Sequence, residues 1–135
     1  MFKWAGQAHA ALRVRDLERS LAFYQQVLGL KLEKKQEIPA RGLTLVTLRQ
    51  GAFVLELLSG PGAPFSPAGG LAGPWDHLAL YVEDLEEAVE ELRRQGMPEE
   101  GPIRRAADGV RLYFFRGPDG ERWELIEAQV ERGEG

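Results

Sequence analysis

The chain contains no cysteine, so it has no disulfide framework and no thiolate for nucleophilic or metal chemistry. It has no asparagine, and with abundant Arg and Glu this composition leans toward that of heat-stable proteins. No apolar run approaches the roughly 20 residues that span a bilayer. The opening MFKWAGQAH lacks the apolar segment of a signal peptide. There is no long basic run, and the net charge is -4 with a pI of about 5.3. Nucleic acid and anionic membrane are therefore excluded as expected partners. A soluble, cytoplasmic protein is the expectation. Histidine is also scarce: the 135 residues hold two.

Both histidines open the same phrase. Residues 9–21 read HAALRVRDLERSL, and residues 77–89 read HLALYVEDLEEAV. At an offset of 68, His9 matches His77, Leu12 matches Leu80, Val14 matches Val82, and Asp16-Leu17-Glu18 matches Asp84-Leu85-Glu86. The offset persists to FVLEL (53–57) and ERWEL (121–125), where Glu56 falls on Glu124. Each His precedes its Glu by 47 residues. Equal spacing across segments of different composition predicts two copies of one unit.

Each unit reads β-α-β-β-β. HAALRV alternates with a strand's period of two. Asp16 is a helix N-cap, and Asp84 with Glu87 forms a capping box. Leu17, Leu21, Tyr24 and Leu28 follow at helical spacing, as do Leu85, Ala88, Val89 and Leu92. Gly29 and Gly96 stand where left-handed C-caps belong. Strands are predicted over 31–37, 43–49 and 52–58, then over about 102–106, 110–116 and 121–127. GPDGE (117–121) is a hairpin turn. The segment 59–74 has nine Gly or Pro in 16 residues, the composition of a linker or surface loop. The fold class is α+β: one domain, 1–135, of two βαβββ modules over 8–58 and 75–127, with sheets curling around a common site.

Successive strand side chains face opposite ways. His9, Ala11 and Arg13 share one face, and His77, Ala79 and Tyr81 share its counterpart. Val54, Glu56 and Leu58 form one face of their strand, as do Arg122, Glu124 and Ile126 of theirs. The all-apolar faces pack on the helices, which leaves each module one imidazole and one carboxylate on the open face. Together these are His2Glu2, a donor set that suits Zn, Ni, Co, Fe(II) or Mn and leaves two octahedral positions open. A lone strand His is usually packed and hydrogen-bonded, and a lone Glu is usually solvated. The doubled coincidence outweighs that reading. Glu56 also lies inside the apolar run AFVLELL, where a bare buried carboxylate is costly unless paired or metal-bound.

The phrases HAALRVRDLERSLAFYQQVLGLKL, FVLEL, DHLALYVEDLEEAVEELRRQG and GPDGERWELIE resemble the vicinal-oxygen-chelate superfamily, and within it glyoxalase I. The resemblance runs over about residues 8–127. It implies that His9, Glu56, His77 and Glu124 ligate a divalent metal. The compact chain resembles the bacterial type that prefers nickel or cobalt, with zinc, manganese or iron as alternatives. The implied reaction isomerises a thiol–methylglyoxal hemithioacetal to a 2-hydroxyacyl thioester. The family's pattern points to Glu124 as the base, with Glu56 opposite; the sequence alone leaves the two undistinguished. Arg13 matches an arginine that the family directs at glutathione. Glutathione-binding members carry Asn four residues after the first Glu, and here that position is Gly60, which counts against glutathione itself and leaves another low-molecular-weight thiol open. Arg104 and Arg105 are candidates to meet a carboxylate-rich substrate, or are solvated loop charges. Tyr81 and Phe65 are weaker candidates to line the pocket. The resemblance also implies a homodimer whose sites are shared between chains. The superfamily equally hosts Fe(II) extradiol-type dioxygenases, thiol transferases and metal-free drug-binding proteins of the bleomycin-resistance kind. The intact four-residue set argues against each of these.

Overall fold

The computed structural model describes residues 3, 5–65 and 77–129. The chain divides into two compact units, Met1–Pro67 and Ala68–Gly135.

In the first unit, β1 (Ala10–Arg13) leads through α1 (Leu17–Ala22) and a π-helical turn (Phe23–Val27) to β2 (Lys31–Ile38). A short 3-10 turn (Pro39–Arg41), β3 (Leu43–Gln50) and β4 (Phe53–Ser59) follow. In the second unit β5 (Leu78–Val82) is followed by α2 (Leu85–Arg94), β6 (Arg104–Arg105), β7 (Arg111–Arg116) and β8 (Arg122–Glu127). Among the described residues these make two open four-stranded sheets, ordered β1-β4-β3-β2 and β5-β8-β7-β6. The first strand of each unit runs parallel to the last, and the other pairings are antiparallel. This is the expected α+β arrangement of two βαβββ units.

The caps form where their chemistry predicts. The Asp16 carboxylate accepts from the Arg19 N–H at 3.2 Å, and the Asp84 carboxylate accepts from the Glu87 N–H at 3.0 Å. Gly29 and Gly96 adopt φ of 72° and 76°, the left-handed region that a helix end favours.

The first helix departs from regular spacing. After Ala22 it widens, and the Leu28 N–H reaches back to the Phe23 carbonyl at 3.3 Å. The wider turn lets two consecutive aromatics face inward. Phe23 and Tyr24 are both buried, their rings 4.8 Å apart and edge-to-face. The strand expected over 102–106 contracts to two residues. Pro102 has no N–H for a ladder, and Gly101 at φ 91° turns the chain.

Strand alternation sorts the core. Leu12, Val14, Val46, Leu48, Leu55 and Leu57 are buried in the first unit. In the second, Tyr113, Phe115, Trp123 and Leu125 are buried, as are Leu85, Val89 and Leu92 of α2. Helix α1 packs on β4, and α2 packs on β7 and β8. Burial pushes the Tyr113 hydroxyl above the usual phenol range, because ionisation there would strip water from the charge.

The Gly/Pro-rich segment expected over 59–74 begins inside ordered structure. Ser59 closes β4, the Gly62 N–H donates to the Gly42 carbonyl at 2.8 Å, and Ala63 is buried. Its remainder from residue 66 lies outside the described residues. Among the described residues no helix is long and apolar enough to cross a membrane.

Candidate functional site

Each unit brings one histidine to one glutamate. In the first, Ala11 of β1 is the Cα partner of Glu56 on β4, and His9 lies two positions earlier on the same face. The His9 Nε2 stands 3.1 Å from the Glu56 Oε1. In the second, Ala79 of β5 partners Glu124 on β8, and the His77 Nε2 stands 3.1 Å from the Glu124 Oε1. The two pairs are built alike from two strands of different sequence.

Their surroundings differ. The side chains of His9 and Glu56 are 45% and 21% exposed, those of His77 and Glu124 32% and 11%. Neither carboxylate is bare: each has its imidazole at contact distance. Glu56 is half-buried rather than fully buried, so the solvation penalty expected from its apolar run is smaller than the run suggests. Thr47 of β3 partners Glu56, while Phe114 of β7 partners Glu124. The Phe114 ring lies 5.4 Å from the His77 ring, at an interplanar angle of 86°. The Arg122 guanidinium sits 3.7 Å over the Phe114 ring.

The donor chemistry fits a divalent cation. Bonds of about 2.0–2.2 Å to ligands at right angles place two donor atoms about 3 Å apart. A His nitrogen and a Glu oxygen 3.1 Å apart match that edge in both units. Within each unit no third His, Cys, Asp or Glu joins the pair among the described residues. Each pair alone supplies two of the six donors of an octahedral site.

Of the other residues singled out by sequence, Arg13 is exposed at the end of β1, on the face that carries Ala11. Tyr81 is 78% exposed on β5, next to Ile126 in register. The Arg104 guanidinium lies 5.8 Å from the Phe114 ring centroid. Arg105 donates to the Gly109 carbonyl at 2.9 Å and so braces its own turn. Phe65 carries the Arg15 guanidinium at 4.9 Å. Arg122 lies within GPDGERWELIE on the face of Glu124, whereas Phe114 belongs to no motif. Counting alternation back from Glu124 through the GPDG turn is the signal that would have put Phe114 on the site's face.

Two open-faced βαβββ sheets, each presenting one His–Glu pair, define a protein built on a duplicated module. A profile of the Glyoxalase/Bleomycin resistance protein/Dioxygenase superfamily matches residues 6–125, and the chain belongs to that superfamily. It is 37% identical over 128 residues to the lactoylglutathione lyase of Salmonella typhimurium, covering 90% of this chain and 91% of that one. A glyoxalase family protein from Enterococcus faecalis superposes with a TM-score of 0.79 at 29% identity, covering 90% of this chain and 97% of that one. The trypanothione-dependent glyoxalase I of Leishmania major gives a TM-score of 0.74 at 30% identity, covering 92% and 87%. The chain is an enzyme of the glyoxalase type.

Proposed function

We propose that the protein is a metal-dependent, glyoxalase I-like isomerase that converts a thiol–methylglyoxal hemithioacetal to a 2-hydroxyacyl thioester in the cytoplasm. The observation that carries this reading is the pair of matched His–Glu contacts at 3.1 Å on equivalent strands. His9, Glu56, His77 and Glu124 hold a divalent cation, nickel or cobalt first. Bound there, the cation supplies Lewis-acid stabilisation of negative charge on two neighbouring substrate oxygens. The Glu124 carboxylate takes the proton from the carbon bearing the thioether. It returns that proton to the adjacent carbon while the hydroxyl proton passes between the two oxygens, so the former aldehyde carbon becomes the thioester carbonyl and its neighbour the carbinol. Glu56 faces the substrate from the opposite side. Arg13 offers a cation to a carboxylate on the thiol carrier, while Tyr81 and Arg104 line the remainder.

Gly60 counts against glutathione as the thiol and leaves another low-molecular-weight thiol open. In support, Gly60 offers no side chain, and its backbone admits none without strain. Trypanothione dependence in the Leishmania major protein illustrates that the fold serves more than one thiol.

The chain acts as one domain, its modules spanning 8–58 and 75–127, in a homodimer. His9 and Glu56 of one protomer there meet His77 and Glu124 of its partner. An open sheet with exposed edges needs a cover, and a two-fold pairing supplies it.

Thioester absorbance, followed with several thiols and added nickel, cobalt or zinc, tests the reaction. Inactivity with every combination refutes it and favours a dioxygenase, a thiol transferase or a binding protein. Mixing inactive His9→Ala with inactive His77→Ala protein tests the shared site. In the mixed dimer one site carries both lesions and the other none, so activity returns in part. No recovery after demonstrated subunit exchange overturns the sharing.

A further inference from the structure

The two half-sites have matched donors and unmatched supports. In the second unit, Phe114 stands beside Glu124 in register, and its ring meets the His77 imidazole nearly at right angles, 5.4 Å between centroids. The Arg122 guanidinium covers the Phe114 ring at 3.7 Å. Arg122 is itself tied down, with its Nε 3.4 Å from the Glu100 carboxylate. The same carboxylate takes Arg116 at 3.4 Å. A continuous chain of contacts therefore runs from Glu100 through Arg122 and Phe114 to His77. The matching positions of the first unit carry neither an aromatic nor a guanidinium. Thr47 occupies the register position of Phe114, and Val54 stands at the repeat position of Arg122. His9 is correspondingly the more exposed of the two histidines.

We propose that Phe114, held by Arg122, is a positioning residue for His77. It restricts rotation of the imidazole and keeps Nε2 directed at Glu124, so that one half of the metal site is preorganised and the other is not. Edge-to-face aromatic contacts have a preferred geometry, and a guanidinium over a ring resists its displacement. Groups that orient a metal-binding imidazole set both affinity and ring orientation without touching the metal. The functional value of this device rests on the metal reading above. The ordering of the His77 ring does not.

With two histidines in the chain, the imidazole region of a nitrogen–proton correlation spectrum holds two ring systems, and His9 is the internal control. In metal-free Phe114→Leu protein, the His77 ring resonances are expected to broaden or shift between tautomers while those of His9 stay in place. Calorimetric nickel affinity is expected to fall about tenfold, the low end for losing a group that orients a ligand. Phe114→Tyr, which keeps the ring, restores both. Arg122→Gln loosens the ring without emptying its place, and produces the same change in His77 to a smaller degree. Unchanged His77 resonances in both Phe114→Leu and Arg122→Gln overturn the proposal, whatever the metal affinity. If the parent protein binds no nickel, the metal reading fails, and the His77 resonances of the metal-free variants still decide this one.

Discussion

Gly60 lies four residues beyond Glu56, where the resemblance to glutathione-binding members implies an Asn side-chain amide. Restoring that amide by Gly60→Asn is expected to fail for a steric reason. The residue adopts φ of +116°, where L side chains rarely go. A Cβ built there stands 2.7 Å from the Gly42 carbonyl oxygen and 3.2 Å from the Leu43 Cα. Both are backbone atoms, so no rotamer change relieves the overlap. The backbone conformation costs about 1–3 kcal/mol. Forcing the two strands of chain apart costs about 1–3 kcal/mol more. Relaxation shares part of the two, and a net loss of about 3 kcal/mol is the expected value. For a chain of this size that lowers the melting temperature by about 10 °C.

The cost arises at Cβ, so Gly60→Ala should lose nearly as much as Gly60→Asn. Urea unfolding of both, monitored by tryptophan fluorescence, separates this from a polar effect. A Gly60→Asn protein within about 0.5 kcal/mol of the parent, the scatter of ordinary surface substitutions, would refute the steric argument. The Michaelis constant for the glutathione adduct should not improve in Gly60→Asn. A gain there would show that the backbone yields and that residue 60 itself sets the thiol preference.

Asp84→Ala removes the side-chain acceptor of the Glu87 N–H and should cost about 1 kcal/mol, read from thermal melts by circular dichroism. Trp123→Ala empties a fully buried position on β8 and should cost about 3–5 kcal/mol by urea unfolding, with Phe53→Ala, at a half-buried position, costing less. Glu86 accepts from Arg111, which holds its carboxyl below the usual carboxylate range. A depressed folded-state pKa favours folding above the unfolded-state value, and the benefit disappears as pH falls through the folded-state value. Stability of the parent relative to Glu86→Gln should therefore be constant at neutral pH and shrink on acidification below about pH 4.5. A difference independent of pH would remove the ion pair from the account.

What the sequence made legible was whatever depended on local chemistry or strict alternation. Asp16, Asp84, Gly29 and Gly96 act through their own backbone neighbours, so their roles could be read from position alone. The pairing of His9 with Glu56 and of His77 with Glu124 followed from a period of two and an equal spacing of 47 residues. The π-helical turn was not legible. Leu17, Leu21, Tyr24 and Leu28 keep helical spacing, and only the inward packing of both Phe23 and Tyr24 requires the wider turn. Phe114 was missed because its contact with His77 depends on register across a hairpin, which the Gly117 N–H to Glu121 carbonyl bond at 2.9 Å fixes. The packing of Gly60 and Gly62 against Gly42 was hidden by a composition that reads as linker.

The constancy of the two His–Glu pairs has a backbone origin. In each unit the first strand is hydrogen-bonded in parallel to the last, and the register sets Ala11 against Glu56 and Ala79 against Glu124. Each histidine lies two residues before its alanine and so on the same face. A slip of one residue would turn the imidazole toward the helix. The hairpin between these strands is free to change without disturbing them: β2 has eight residues and its counterpart β6 has two. Side chains flanking the pairs are equally free. Arg13 corresponds to Tyr81, Thr47 to Phe114 and Val54 to Arg122, a polar or small residue set against an aromatic or cationic one in each case. Duplication alone would yield two equal His–Glu pairs in equal surroundings. Fixing the donors by backbone register while varying their neighbours lets a duplicated scaffold give two like His–Glu pairs unlike surroundings.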